Sequence, residues 1–158
     1  MAHPTFEPER DVTVVEDTTT GRIVSALFLI PQVWSYAGMP MPVGQPELIA
    51  THPDYRRRGL VRAQFDVIHE WSRAADHVWQ FISGIPWYYR QFGYSYAIDL
   101  PARPVLGLAE PPAVSSVAPA APSPPRPPSE YRLRTAVENE IIPLAGAAQN
   151  IVGRLSTA

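Results

Sequence analysis

Three consecutive arginines and a glycine form the segment of this chain best suited to hold a polyanion. Arg56–Arg58 and Gly59 separate a short apolar strand, which contains Ile49 and ends at Thr51, from an apolar helical pattern that begins at Leu60. Glycine lets the backbone turn tightly, and the first N–H groups of a helix have no partner within it. A helix N-terminus carries roughly +0.5 charge, and arginines add charge-assisted contacts. The turn therefore predicts a diphosphate site.

A second segment, GIPWYYRQFGY, runs from Gly84 to Tyr94 and is rich in aromatic side chains. It follows the apolar run Val78–Ile82, which predicts a buried strand. Pro86 suits a first helical position and Gly93 suits a C-terminal cap, so a short helix is expected between them.

Together the two motifs resemble the acetyl-CoA-binding core of the GNAT N-acetyltransferases. RRRGL after a strand, a helix of suitable length, a second strand and then YYRQFGY follow the family's order, and the resemblance covers about Val12 to Leu100. The resemblance implies an α/β (α+β) fold, with a mixed, mainly antiparallel sheet flanked by helices. It also implies acetyl-CoA as cosubstrate and direct attack by a primary amine, without a covalent enzyme intermediate.

The family's phosphate loop has Gln or Arg, two variable residues, Gly, one variable residue, and then Gly or Ala. Val61 departs from this pattern because it is bulkier, but its backbone N–H still supplies the contact made at that position. In this family the strand Leu48–Thr51 bulges and splays, so that the pantetheine arm pairs with its exposed edge and a backbone N–H stabilises the oxyanion. By this resemblance the cofactor-binding residues are Ile49, Ala50, Thr51, Arg56, Arg57, Arg58, Gly59, Leu60, Val61, Arg62, Ser83 and Gly84.

The expected reaction needs a base, because an amine with a pKa of about 10.4 is protonated near neutral pH. Glu47 lies on the strand that would flank the acetyl group, and an ordinary strand-edge carboxylate is the alternative interpretation. Asp54 and Asp66 are weaker candidates, because they flank the phosphate turn and its helix.

Departure of the coenzyme A thiolate is helped by a proton donor, since the thiol has a pKa near the cysteine value of about 8.5. By resemblance this donor is Tyr89, with Tyr88 and Tyr94 as competing assignments. Plain aromatic packing is the alternative for all three.

The remaining segments predict most of a sheet. Asp11–Glu16 and Arg22–Ile30 read as an antiparallel hairpin. The following segment, PQVWSYAGMPMPVGQP, has too many prolines and glycines for a central strand, and it predicts a loop or irregular edge beside the acceptor groove. Residues 95–100, SYAIDL, alternate as a further strand.

Composition suggests three regions: a GNAT-like core at residues 1–100, a Pro/Ala-rich linker at 101–129, and the strand-helix start of a second GNAT-like module at 130–158. The core lacks the strand and helices that usually precede the hairpin. Either the tail folds back to replace them, or a second chain does, or the chain is a fragment of a tandem protein. Uncovered sheet surface would favour association with another chain, as a homo-oligomer or with a second GNAT module, or poor stability.

Net charge and composition limit the classes of partner that the chain is expected to bind. The net charge of -2 argues against general nucleic-acid binding, and the absence of cysteine excludes disulfides and thiolate chemistry. The four histidines have no ligand spacing, so no metal is expected. Neither a signal peptide nor a membrane span is recognisable, which favours the cytoplasm and no membrane partner. The expected acceptor is a small-molecule or peptide amine, and a non-catalytic acyl-CoA-binding module is the rival function.

Overall fold

The computed structural model describes residues 7–85, 87–97, 129–137 and 139–140. The chain divides into two compact units, residues 1–83 with 124–158 and residues 84–123. In chain order the elements are α1 (Pro8–Asp11), β1 (Val12–Asp17), β2 (Arg22–Tyr36), β3 (Met39–Thr51), a 3-10 helix (Pro53–Tyr55), α2 (Leu60–Ala74), β4 (Trp79–Gln80), a 3-10 helix (Tyr88–Phe92) and β5 (Tyr131–Thr135).

The strands form one sheet in the order β4-β3-β2-β1-β5. Every neighbouring pair is antiparallel except β3 and β4. The predicted fold class, a mixed and mainly antiparallel sheet with helices, is therefore confirmed. The predicted first hairpin is also confirmed, since Val12 of β1 lies opposite Phe28 of β2.

The loop predicted after Ile30 is wrong, because that segment continues β2 and forms most of β3. Tyr36 pairs with Met39 across a tight turn, in which Ala37 and Gly38 have φ values of 50° and 81°. Positive φ at both central residues is typical of the turn that matches the strand twist. The prolines are tolerated because the β1 ladder ends at Phe28, and β4 pairs only with Val43 and Gly44, so these stretches lack a second ladder that needs their N–H groups.

The strand predicted at Val78–Ile82 is present only as the short β4, and its predicted burial is wrong. β4 has two residues, and Val78 is 66% exposed. After Phe81 N donates to Gly44 O at 3.0 Å, no further backbone hydrogen bond joins the two segments within the described residues. The second half of β3 therefore has no strand beside it on that edge among the described residues.

Two further predicted elements differ from the structure. Ser95–Ala97 are not in a strand, and the rest of the predicted strand, residues 98–100, lies outside the described residues. The expected helix start at Pro86 lies outside them as well, and the helix observed there begins at Tyr88 as a 3-10 helix. Gly93 ends it with φ 92°, as its role as a cap predicts.

The tail strand β5 pairs with β1 and places Tyr131 opposite Asp17. The N–H and hydroxyl of Thr18 each donate to Glu130 O at 2.9 Å. Of the alternatives left open by the sequence, this strand follows the first, because it folds back onto the sheet of its own chain. The linker at 101–128 and the helix expected after residue 140 lie outside the described residues.

Arg134 of β5 reinforces this junction through two carboxylates. Its Nε donates to Glu16 Oε2 at 3.0 Å, and its Nη2 donates to Glu140 Oε1 at 2.7 Å. The Arg134 hydrogen bonds lower the pKa of Glu140 below its ordinary value. The ion pairs therefore connect β5 to β1 through Glu16 and to the residues after β5 through Glu140.

A buried amide attaches α2 to the sheet. Gln64 is fully buried, and its Nε2 donates to Thr13 O at 3.2 Å and to Thr13 Oγ1 at 3.0 Å. Ser25 Oγ lies 2.7 Å from Gln64 Oε1, 3.0 Å from Ala50 O and 2.9 Å from Thr51 Oγ1. One side chain of the helix is thereby connected to β1, β2 and β3. Leu60, Phe65, Ile68 and Ser72 complete the buried face of α2.

Among the described residues, no helix has the length and hydropathy needed to cross a membrane. The same part of the chain contains no group of three or more His, Cys, Asp or Glu side chains arranged to hold a metal ion.

Replacing Gln64 with leucine should lower the free energy of unfolding by about 2–4 kcal/mol, because Ser25 and Thr13 would lose buried hydrogen bonds. Urea unfolding followed by tryptophan fluorescence measures the change. Asp66→Leu, at an exposed position of the same helix, should stay within about 0.5 kcal/mol of the parent. Equal losses in both variants would contradict the role given to the buried amide.

Candidate acyl-CoA site

The bulge predicted within Leu48–Thr51 is present in β3. Phe28 pairs with Glu47 and Ala26 pairs with Ala50, so the single residue Leu27 of β2 faces Leu48 and Ile49. Leu48 adopts φ 51°, a conformation that a bulky residue rarely takes. A bulge bends its strand and re-aims the side chains on either side of it. The strand direction therefore changes between Glu47, which precedes the bulge, and Ala50 and Thr51, which follow it.

The edge of β3 that faces away from β2 presents the backbone of Thr51. His52 N donates to Val24 O at 2.9 Å, so the backbone N–H of His52 points towards β2. Successive residues of a strand direct their backbone groups to opposite edges, which turns Thr51 outwards. Arg56 Nε donates to Thr51 O at 3.4 Å from that outer side. Ala50 lies opposite Ala26 of β2.

The turn between β3 and α2 contains two residues with left-handed backbone. Arg57 has φ 62°, and Gly59 caps α2 with φ 74°. A Cβ on Gly59 would meet no atom within 4 Å, so glycine is required here by the backbone angle and not by crowding. The first turn of α2 contains no acidic residue. The positive helix end, with the N–H groups of Leu60, Val61 and Arg62, is therefore not offset by a carboxylate of its own first turn.

The three arginines of the turn differ in what they contact. Arg58 Nη1 donates to the Tyr131 hydroxyl, and its Nη2 donates to Asp54 O at 2.9 Å. Arg56 contacts Thr51 O, as described above. Arg57 is exposed, and within the described residues its side chain has no hydrogen bond or ion pair. Arg57 thus has the guanidinium that the described residues engage least, and it is exposed to a ligand.

Arg58 is held between two aromatic rings. Its guanidinium carbon lies 5.0 Å from the ring centroid of Tyr55 and 5.9 Å from that of Tyr131. The Tyr55 hydroxyl donates to Asp17 Oδ2 at 2.9 Å. A hydrogen bond from Thr19 N, together with that from Tyr55, lowers the pKa of Asp17, and the bond to Asp17 raises the pKa of Tyr55. Arg58 therefore anchors the turn to the sheet, a role that the sequence did not predict.

Glu47 is half-buried and is held at one oxygen. Gln45 Nε2 donates to Glu47 Oε1 at 2.8 Å, and Ser83 Oγ donates to the same oxygen at 3.4 Å. The structure thus brings together Glu47 and Ser83, two of the predicted site residues. Asp54 and Asp66, the weaker base candidates, are exposed. Gln45 was not singled out by sequence, although its i, i+2 spacing to Glu47 puts both on one face of the strand.

Tyr89 belongs to the second unit and lies within the 3-10 helix Tyr88–Phe92. Its ring centroid is 5.1 Å from that of Tyr88 and 6.3 Å from that of Tyr94. A Cβ on Gly84 would lie 3.6 Å from the Tyr89 ring and 3.8 Å from its hydroxyl. Gly84 has φ 136°, so its backbone favours glycine, whereas a Cβ there would make only an ordinary van der Waals contact with Tyr89. Burial raises the pKa of Tyr94, which keeps its phenol protonated. The catalytic role of Tyr89 stays a prediction.

Comparison with known proteins identifies the family to which this fold belongs. A family model described as an acetyltransferase (GNAT) domain matches residues 2–97. The chain therefore belongs to the GNAT acetyltransferase family, as its motifs predicted. Acyl transfer is the general reaction class that this membership supports. No curated protein matches the sequence.

Two solved structures share the fold. An acetyltransferase from Trypanosoma brucei has 25% sequence identity and a TM-score of 0.50, over 58% of this chain and 67% of that one. Glucosamine-6-phosphate N-acetyltransferase from Arabidopsis thaliana has 12% identity and a TM-score of 0.50, over 58% of this chain and 65% of that one. The chain thus spans about two thirds of the length of these solved relatives.

Replacing Tyr131 with phenylalanine should loosen the arginine turn while leaving the ring in place. Loss of the hydroxyl acceptor frees one side of Arg58, and amide hydrogen exchange at residues 57–62 should become about fivefold faster, as expected for about 1 kcal/mol. Tyr36→Phe, at an exposed tyrosine near the end of β2, serves as the control. Unchanged exchange in Tyr131→Phe would show that the turn does not depend on the hydrogen bond from Arg58 to the Tyr131 hydroxyl.

Proposed function

We propose that the chain transfers the acetyl group of acetyl-CoA to a primary amine by direct attack. The observation that carries this proposal is the succession of a bulged β3, an outward-facing Thr51 backbone and a left-handed turn into α2. An open strand edge suits an amide-containing pantetheine arm, and an uncompensated helix start suits a diphosphate. The two features follow each other within a dozen residues, as one extended ligand requires.

The binding roles follow from these positions. Arg57 and the N–H groups at the start of α2 hold the diphosphate, while Arg58 and Arg56 hold the turn itself. The outward N–H of Thr51 pairs with the pantetheine arm, and the bulge at Ile49 supplies a backbone N–H for the developing oxyanion. Ser83 and Gly84 border the same arm. Bound acetyl-CoA would supply an acetyl group activated as a thioester.

The catalytic roles concern two protons. Glu47 takes a proton from the ammonium of the acceptor, so that a nitrogen lone pair becomes available. The amine then attacks the thioester carbon, and the carbon–sulfur bond breaks as Tyr89 donates its phenolic proton to the departing thiolate. The attacking nitrogen loses a second proton as the amide forms, and transfer of that proton to the phenolate restores Tyr89. The two protons lost by the nitrogen thus go to Glu47 and, through Tyr89, to the thiolate. Within this proposal, residues 1–100 form the catalytic core, 101–129 a linker and 130–158 a segment that contributes β5 to the core sheet.

Binding is tested by titrating acetyl-CoA calorimetrically against the parent, Arg57→Ala and Arg73→Ala. Arg57→Ala should bind about tenfold more weakly, since a charge-assisted contact to a phosphate is lost, equivalent to about 1.4 kcal/mol. Arg73 lies in the last turn of α2 and pairs with Glu70, so its loss should change the affinity less than twofold. Absence of binding by the parent would sink the acyl-CoA proposal.

Turnover is tested by following free thiol released from acetyl-CoA with glucosamine 6-phosphate, kanamycin, spermidine and a short peptide as acceptors. Glu47→Gln keeps the shape of the side chain but removes the base, and the rate at neutral pH should fall about 100-fold while acetyl-CoA affinity is retained. Asp66→Asn is the matched control. Binding without turnover by the parent would favour a non-catalytic acyl-CoA-binding module, and full activity of Glu47→Gln would assign the base elsewhere.

A further inference from the structure

A chain of hydrogen bonds joins three side chains to Glu47 along one face of the β2–β3 ribbon. Trp34 Nε1 donates to Gln32 Oε1 at 2.7 Å. Gln32 Nε2 donates to Gln45 Oε1, and Gln45 Nε2 donates to Glu47 Oε1 at 2.8 Å. We call Trp34, Gln32 and Gln45 the amide row. All of these residues lie in the first unit.

The amide row has a fixed direction because its first member can only donate. An indole N–H has no acceptor capacity, so the carbonyl oxygen of Gln32 must face Trp34. The NH₂ of Gln32 then faces Gln45 and donates a hydrogen bond to the carbonyl oxygen of that amide. The NH₂ of Gln45 is left to face Glu47. Every hydrogen bond in the series, from the indole through the two amides to the carboxylate, is thus donated in the direction of Glu47.

Trp34 is itself held in place by aromatic neighbours. Its ring centroid lies 5.5 Å from that of Trp79, edge to face, and 5.2 Å from that of Phe81. Such offset and edge contacts add to the apolar packing of the rings. The indole N–H at the start of the amide row is therefore oriented by ring packing as well as by its hydrogen bond to Gln32.

The amide row distinguishes the two oxygens of Glu47. Oε1 accepts from Gln45 and from Ser83, as described above. Within the described residues, Oε2 has no hydrogen-bond partner. A carboxylate whose one oxygen is anchored presents its other oxygen in a defined direction.

We propose that Trp34 is a positioning residue, which acts through Gln32 and Gln45 to fix Glu47 Oε1 and so directs Oε2 to the acceptor amine. The inference rests on the proposed function, in which Glu47 is the base. Within this proposal Trp34 acts through the amide row and not by contact with the amine or acetyl-CoA. Its contribution is to set the orientation of the two amides. In that orientation the NH₂ of Gln45, and not its carbonyl oxygen, faces the carboxylate.

The turnover test uses Trp34→Phe, Gln45→Glu and Trp71→Phe with the acceptor that the parent uses best among those named above. Trp34→Phe keeps an aromatic ring but loses the donor, and kcat should fall about three- to tenfold with the KM for acetyl-CoA changed less than twofold. Gln45→Glu replaces the donor beside Glu47 with an acceptor of the same size, and kcat should fall at least tenfold. Trp71→Phe removes an indole from α2 and should change kcat less than twofold.

A second readout does not require turnover. The side-chain amide signals of Gln45 in an ¹⁵N–¹H spectrum, assigned by their loss in Gln45→Glu, should move in Trp34→Phe and in Glu47→Gln but not in Trp71→Phe. Gln45 signals in Trp34→Phe that match those in Trp71→Phe would overturn the amide row. Moved signals with unchanged kcat would overturn the positioning role alone.

The two readouts also separate this inference from the proposed function. If the parent releases no thiol with any acceptor, the proposed function fails. The Gln45 signals then decide whether the amide row exists: movement in Trp34→Phe supports it, and no movement overturns it.

Discussion

The buried amide of Gln64 is the interaction on which the site geometry depends. A buried amide must satisfy both its ends, and Gln64 does so by joining Thr13 of β1 to Ser25 of β2. Because Ser25 also contacts Ala50 and Thr51 of β3, the same network fixes the bulged strand end and the helix that follows the arginine turn. These buried hydrogen bonds thereby fix the distance between the open edge of β3 and the start of α2.

The arginine turn is anchored a second time from the tail. Tyr131 reaches Arg58 from β5, and Tyr55 connects the same guanidinium to Asp17 at the end of β1. Two arginines that look equivalent in the sequence thus have different tasks, since Arg58 holds the turn and Arg57 faces outward. The oxygen acceptors and aromatic rings around Arg58 stabilise its charge, which lowers the free-energy cost of holding three arginines close together.

Local patterns predicted the elements that depend on local chemistry. The first hairpin, α2, the cap at Gly93 and the bulge within Leu48–Thr51 follow from alternation, helical periodicity, glycine and the family resemblance. The β2–β3 ribbon was missed because the rule against proline applies to strands paired on both sides, and this ribbon extends past its neighbours. The Gln45–Glu47 contact had a signal in the i, i+2 spacing. Tyr131 had none, because its contact with Arg58 spans 73 residues and depends on tertiary structure.

The position of β5 has a consequence for the order of folding. Thr18 and Glu130 are 112 residues apart in the chain, and closing a flexible loop of that length costs about 4 kcal/mol before any contact compensates for it. The β1–β2 and β2–β3 hairpins close over a few residues, so they should form first and leave the free edge of β1 exposed. Until the tail arrives, that edge can pair with any other strand that it meets. The last strand to join is thus also the one that shields the sheet from aggregation.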